Sequence, residues 1–169
     1  MKKVIVLIEN LFDEQELVYP YHRLSEDYEV HLVGPEKHAE YSGKSGFKMK
    51  STHSSADIKA EDYEGIIIPG GFSPDYMRKS EATRKLVSDF DKAGKPIAAI
   101  CHGPWMMASC CDVKDKRLTS VPTIKDDLIH AGAEWVNEEV VVSGNLITSR
   151  SPLDLPAFVK AFVGELQKK

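Results

Sequence analysis

The residues best suited to chemistry are Cys101 and His102, in Ala99-Ile100-Cys101-His102-Gly103. A thiol and an imidazole stand side by side between an apolar β-forming run and a segment opening Gly103-Pro104. Small residues flanking the cysteine let the chain turn sharply enough to present its side chain at a strand-to-helix junction, as a nucleophile elbow does. A thiol at a helix N-terminus is expected to have a lowered pKa, and His102 to serve as its base or ion-pair partner. The plainer alternative is a buried structural cysteine, since free Cys is among the most buried residue types. The strand–Cys–His–Gly–Pro–helix context favours the reactive one.

Other candidates are weaker alone. Pro69-Gly70-Gly71 ends a second apolar run, and its glycines would let backbone N–H groups approach an oxyanion, or would simply make a β-turn. Glu16 follows the first apolar run closely enough to reach a strand-end crevice, but Asp13-x-x-Glu16 also reads as a capping box, which accounts for it equally well. Asp75 is either a site acid or a helix-dipole acid after Ser73-Pro74. Cys110 and Cys111 read as helix-end thiols. His22, His31, His38, His53 and His130 show no ligand spacing, so no metal is expected. With neither a G-x-G-x-x-G nor a P-loop, no cofactor is expected either.

The elements that must position these residues alternate. Apolar runs at Val4–Ile8, Val30–Val33, Gly65–Ile68 and Pro96–Ile100 read as buried strands, with shorter ones at Leu118–Ser120, Val140–Val142 and Leu146–Thr148. Helical spacing predicts helices from Asp13 to Glu26, after an N-cap at Ser73, over Ala82–Ala93 and Gly103–Cys110, from Thr123 to Gly132, and after Ser151-Pro152. Residues 36–56 are polar and glycine-containing, and predict a hairpin or an irregular excursion. The expected fold is α/β: a three-layer sandwich whose mostly parallel, flavodoxin-like sheet carries helices on both faces, with the elbow at Cys101. Its ligand site should lie beyond the carboxyl ends of the strands.

The 169 residues suit one domain, 1–169, with 42% hydrophobic and 28% charged residues and a net charge of −4. No basic cluster suggests nucleic acid or an anionic membrane as partner. Three cysteines, two of them adjacent, form no disulfide framework and suit a reducing compartment. The five-residue apolar run after Met1-Lys2-Lys3 is too short for a signal peptide or a membrane span, so the cytoplasm is expected.

Ala99-Ile100-Cys101-His102-Gly103-Pro104 resembles the elbow of the DJ-1/PfpI superfamily, of the class I glutamine amidotransferase-like fold. Phe12-Asp13-Glu14-Gln15-Glu16-Leu17, Tyr19-Pro20-Tyr21-His22-Arg23-Leu24, Ile68-Pro69-Gly70-Gly71 and segments of the C-terminal half agree, as in the PfpI/YhbO-type branch. The resemblance implies Cys101 as nucleophile, His102 as its adjacent histidine, Glu16 as hydrogen-bond partner of the thiol, and Gly70, Gly71 and His102 as the oxyanion-side backbone. It also implies self-association, as a dimer or hexamer, in which Asp75 reaches His102 of a neighbouring subunit. Where the family pattern has Glu this chain has Asp75, and Trp105 stands where Gln is frequent. The implied activity is cysteine-dependent chemistry on a small carbonyl or peptide substrate, of the glyoxalase III, protein deglycase or intracellular peptidase type. The alternatives are a non-enzymatic redox-sensing or chaperone-like stress protein using Cys101, and a flavodoxin-like binding module.

Overall fold

The computed structural model describes residues 1–168. Strand β1 (Lys3–Leu7) leads into helix α1 (Glu14–Ser25) and then β2 (Glu29–Gly34). The polar excursion is a true hairpin, β3 (Glu40–Ser42) and β4 (Lys48–Lys50), and it returns through β5 (His53–Ser54) to lie beside β2. The Thr52 hydroxyl stands in for a strand there, accepting from the Leu32 amide at 3.0 Å and donating to its carbonyl at 3.1 Å. Next come β6 (Gly65–Ile68), α2 (Ser73–Met77), α3 (Glu81–Lys92), β7 (Ile97–Ile100) and α4 (Pro104–Cys110). The C-terminal part holds β8 (Arg117–Leu118), α5 (Lys125–His130), β9 (Glu134–Trp135), β10 (Val141–Ser143), β11 (Leu146–Ser149) and α6 (Leu155–Gln167).

The main sheet runs β10-β11-β7-β6-β1-β2-β5, parallel except for β10. Side chains alternate across it even within the continuous apolar runs, because successive residues of a strand point to opposite faces. Ile5, Leu7, Ile66, Ile68, Ile97 and Ala99 join one core with the side chains of α3 and α4, while Val4, Val6, Ile67, Ala98 and Ile100 join another with α1 and α6. This is the three-layer α/β sandwich expected. From β1 the chain steps outward to β2, then crosses back to β6 on the other flank of β1. That reversal opens a crevice at the carboxyl ends of β1 and β6. No helix among the described residues is long and apolar enough to cross a membrane.

Local expectations fail where tertiary contacts override a cap. Ser73 is not an N-cap: Phe72 holds that position, and the buried Ser73 hydroxyl donates instead to the Gly70 carbonyl at 2.7 Å. Thr123 caps nothing, since a 3-10 turn at Pro122–Ile124 precedes α5. The strand expected at Leu118–Ser120 sits at Arg117–Leu118 and pairs with Glu134–Trp135, too short a run to stand out in the sequence. Phe162 of α6 has 0% exposure in the second core. Phe162→Ala is expected to cost about 3–5 kcal/mol in urea unfolding, as truncations of fully buried Phe do.

Candidate active site

The turn between β7 and α4 holds Cys101 at φ +63°, left-handed backbone that costs a non-glycine residue about 1–2 kcal/mol. Its neighbours enforce it. The Cys101 amide donates to the Ser149 carbonyl at 3.1 Å, and its carbonyl accepts from the Val121 amide at 3.0 Å. The Gly103 amide closes the turn onto the Ile100 carbonyl at 2.8 Å. A Cβ on Gly103 would lie 2.6 Å from the Ile68 carbonyl oxygen and 2.9 Å from Ile100 N, so the elbow needs glycine there. The sharp turn expected from the small-x-Cys-x-small pattern is present.

Glu16 sits in the first turn of α1 with 0% exposure. Only half of the expected capping box forms. The Asp13 carboxylate accepts from the Glu16 amide at 3.2 Å, but the Glu16 side chain turns inward and its Oε1 accepts from the Gly70 amide at 2.8 Å. A Cβ on Gly70 would lie 2.6 Å from that Oε1 and 3.0 Å from Cys101 Cβ, so the missing side chain is what lets acid and thiol share the crevice. Glu16 Oε2 is buried and meets no partner among the described residues. Burial, with Asp13 nearby, pushes the Glu16 carboxyl up to about 8, so it is a neutral acid at pH 7. The Cys101 thiol lies within its reach.

The thiol itself departs from expectation. Burial pushes Cys101 up to about 12, helped by Glu16 and Asp13, while the His102 amide and Lys44 pull the other way. A seven-residue helix is too short to reverse that desolvation. Cys110 is pushed up to about 11 and Cys111 further, also by burial, so resting acidity does not single out Cys101. Its partners do. His102 Nδ1 lies 3.5 Å from Cys101 Sγ, and burial together with Lys44 lowers the imidazole's pKa, leaving it neutral and able to take a proton. At rest the three groups are a thiol, a carboxylic acid and a neutral imidazole.

Of the expected oxyanion donors, the Gly70 amide is already committed to Glu16. Among the described residues the Gly71 amide meets no acceptor, and the His102 amide meets only the Cys101 sulfur, whose charged form it favours. Asp75 is half-buried on α2, and among the described residues its carboxylate makes no ion pair or hydrogen bond, with His102 or otherwise.

Two contributors were missed. Lys44, at the tip of the β3–β4 hairpin, pairs with Asp13 Oδ2 at 2.6 Å and is close enough for Glu16 and Cys101 to raise its pKa. Glu14 holds the tip in place by accepting from the amides of Ser45 at 2.9 Å and Phe47 at 3.3 Å. Nothing in the local sequence marks Lys44, because only the folded-back hairpin brings it here. Trp105 is the second: its ring lies 5.0 Å from that of His102 and 5.9 Å from that of Phe72. Among the described residues no three His, Cys, Asp or Glu side chains cluster as metal ligands.

The sequence profile of the DJ-1/PfpI family matches residues 2–165. The chain belongs to the DJ-1/PfpI family. It is 40% identical over 162 residues to a protein of Pyrococcus horikoshii named as a deglycase, covering 95% of this chain and 97% of that one. It is 39% identical over 158 residues to a Bacillus subtilis protein, YraA, whose name proposes a cysteine protease, covering 93% and 94%. A crystal structure from Anabaena variabilis with DJ-1/ThiJ/PfpI-like and ferritin-like domains superposes with a TM-score of 0.95 at 34% identity. The match covers 98% of this chain and 48% of that one, so this chain spans about half its length. The family resemblance and the fold expected from the sequence are thereby borne out.

Two outcomes follow from the site's electrostatics. The Glu16 carboxyl ionises near 4.5 in an unexceptional environment and near 8 in the fold. Between those values the folded state keeps a proton that the unfolded state has lost, so stability falls as pH rises through that window. The fall attributable to Glu16 is roughly 4 kcal/mol between pH 4 and pH 7.5. Urea unfolding of Glu16→Gln, which keeps the Gly70 contact and cannot ionise, should lack this component. Lys44→Met leaves Asp13 unpaired and withdraws the cation that favours thiolate, so alkylation of Cys101 at pH 8 should slow by roughly 2–5-fold, in line with a partly exposed charge.

Proposed function

We propose that the protein is a cysteine-dependent enzyme acting on the carbonyl or acyl carbon of small aldehydes, glycated side chains or peptides. The observation that carries this is Cys101 held at φ +63° against a neutral acid and a neutral imidazole. Strained backbone at a crevice persists only where the surroundings enforce it, and such strain clusters at active sites. The deglycase name of the P. horikoshii relative supports the same chemistry.

In the first step Sγ bonds to the carbonyl carbon and the C=O π bond breaks onto oxygen. The thiol proton passes to His102 Nδ1, and the oxyanion is met by the amides of Gly71 and His102 before it is protonated. With an aldehyde the product is a hemithioacetal, and with a peptide a tetrahedral adduct on the way to an acyl-enzyme. The neutral Glu16 hydroxyl donates to sulfur as negative charge develops there, which a carboxylate would oppose. Asp75 is assigned to a neighbouring copy: in a dimer or hexamer it fixes the His102 ring, which pairs with no carboxylate among the described residues.

Side-by-side turnover of methylglyoxal, a glycated peptide and a peptidyl-coumarin is the test. At least one should be consumed, with a loss of roughly 10³-fold or more in Cys101→Ser, as for loss of a nucleophile. Turnover unchanged in that variant, or none by the parent protein, would overturn the proposal. Asp75→Ala should lower kcat roughly tenfold while KM holds, as expected of a group that orients the base; a monomer by light scattering with kcat unaltered in that variant excludes the shared site. The unpartnered Glu16 Oε2 also favours a second reading, in which peroxide oxidises Cys101 to a sulfinate that the acid hydroxyl then binds. Peroxide-treated protein carrying its two added oxygens on Cys101, with no turnover of any substrate, would mark that case.

A further inference from the structure

We infer that Phe72 and Trp105 form an apolar subsite beside Cys101, selecting substrates that carry an aromatic or similarly large apolar group next to the reacting carbonyl. The inference rests on Cys101 being the reacting group. Phe72 follows the Gly70-Gly71 loop and is tied to the crevice by its amide, which donates to the Leu11 carbonyl at 2.9 Å. It is 45% exposed. Tyr19, Phe47 and Leu153, also exposed, gather instead around α1 and the start of α6. In the single chain Phe72 thus presents a large apolar surface at the strand ends.

Trp105 gives that surface a rigid wall. Its indole N–H donates to Asp127 Oδ2 at 2.6 Å, the Arg78 guanidinium stacks 5.6 Å from its ring centre, and Phe72 meets it edge-on at 78°. Tyr76 meets Phe72 in a second edge-on contact at 6.0 Å. A wall already fixed on several sides loses little freedom when a ligand packs on it, which is how preorganisation raises affinity. The path to the sulfur is short: Trp105 to His102 is 5.0 Å between rings, and His102 Nδ1 to Sγ is 3.5 Å. Lys44, paired with Asp13 beside the thiol, comes from the hairpin, on another element than the aromatic wall. An apolar substituent is therefore directed to the aromatic side, where a planar ring finds the edge-to-face and offset partners that aromatic pairs prefer.

The test separates subsite from activity. The rate constants for Cys101 alkylation by chloroacetamide and N-phenylchloroacetamide are measured by mass spectrometry, and their ratio is divided by the same ratio for glutathione. The phenyl reagent should be favoured roughly 10-fold by the protein, the scale on which one apolar group is discriminated. That preference should fall toward the glutathione value in Phe72→Ala and in Trp105→Gln, and persist in Leu153→Ala. No preference in the parent protein, or one that survives both aromatic substitutions, overturns the subsite. So does a change of oligomeric state in Phe72→Ala with the preference intact, which would mark Phe72 as a contact between copies. Where turnover exists, kcat/KM for phenylglyoxal over methylglyoxal should shift in parallel; absence of turnover for both counts against the enzymatic reading, and the alkylation ratio still decides the subsite.

Discussion

The hydrogen bond from the Gly70 amide to Glu16 Oε1 is made in a place closed to water, and much of the crevice is arranged around the carboxylic acid it holds. A carboxyl with no exposed surface cannot keep its charge cheaply, so it keeps its proton. That single fact fixes several others. Gly70 must lack a side chain, or the acid and Cys101 would collide with it. Asp13, the neighbouring acid that raises Glu16 further, is itself held by the α1 cap and by Lys44. The Cys101 thiol lies within reach of a group that is neutral in the resting state.

This arrangement separates reactivity from resting acidity. A thiol made acidic by a nearby cation is reactive all the time; here desolvation holds the proton on sulfur, and a neutral imidazole waits 3.5 Å away. In the proposed reaction attack coincides with substrate binding, when the carbonyl oxygen can meet the amides of Gly71 and His102. A half-buried thiol with its proton in place is also less exposed to chance oxidation. Deglycase and peptidase chemistry need the same opening step, and a relative bearing each name is 40% and 39% identical to this chain, respectively.

How far the site was legible depends on whether each residue is fixed locally. The four long apolar runs are buried on both faces, so composition alone revealed them, and the elbow was visible because sharp turns demand small residues in sequence. Glu16 was ambiguous because its amide obeys the local capping rule while its side chain answers to Gly70, 54 residues away. Lys44 was illegible, since no periodicity or motif records where a hairpin tip will land. The thiol's raised pKa was misjudged because a sequence shows a helix start but not the depth of burial that outweighs it.

Thr52 has a consequence at the opposite margin of the sheet. Strand β2 is six residues long, yet its last neighbour, β5, covers only two of them. An uncovered strand of that length presents a ladder of free N–H and C=O groups on which another chain can crystallise a new strand, the first event of edge-to-edge aggregation. By accepting from the Leu32 amide and donating to its carbonyl, the Thr52 hydroxyl occupies the rung where such growth would begin. A side chain thus acts as a full stop for the sheet, far from any chemistry.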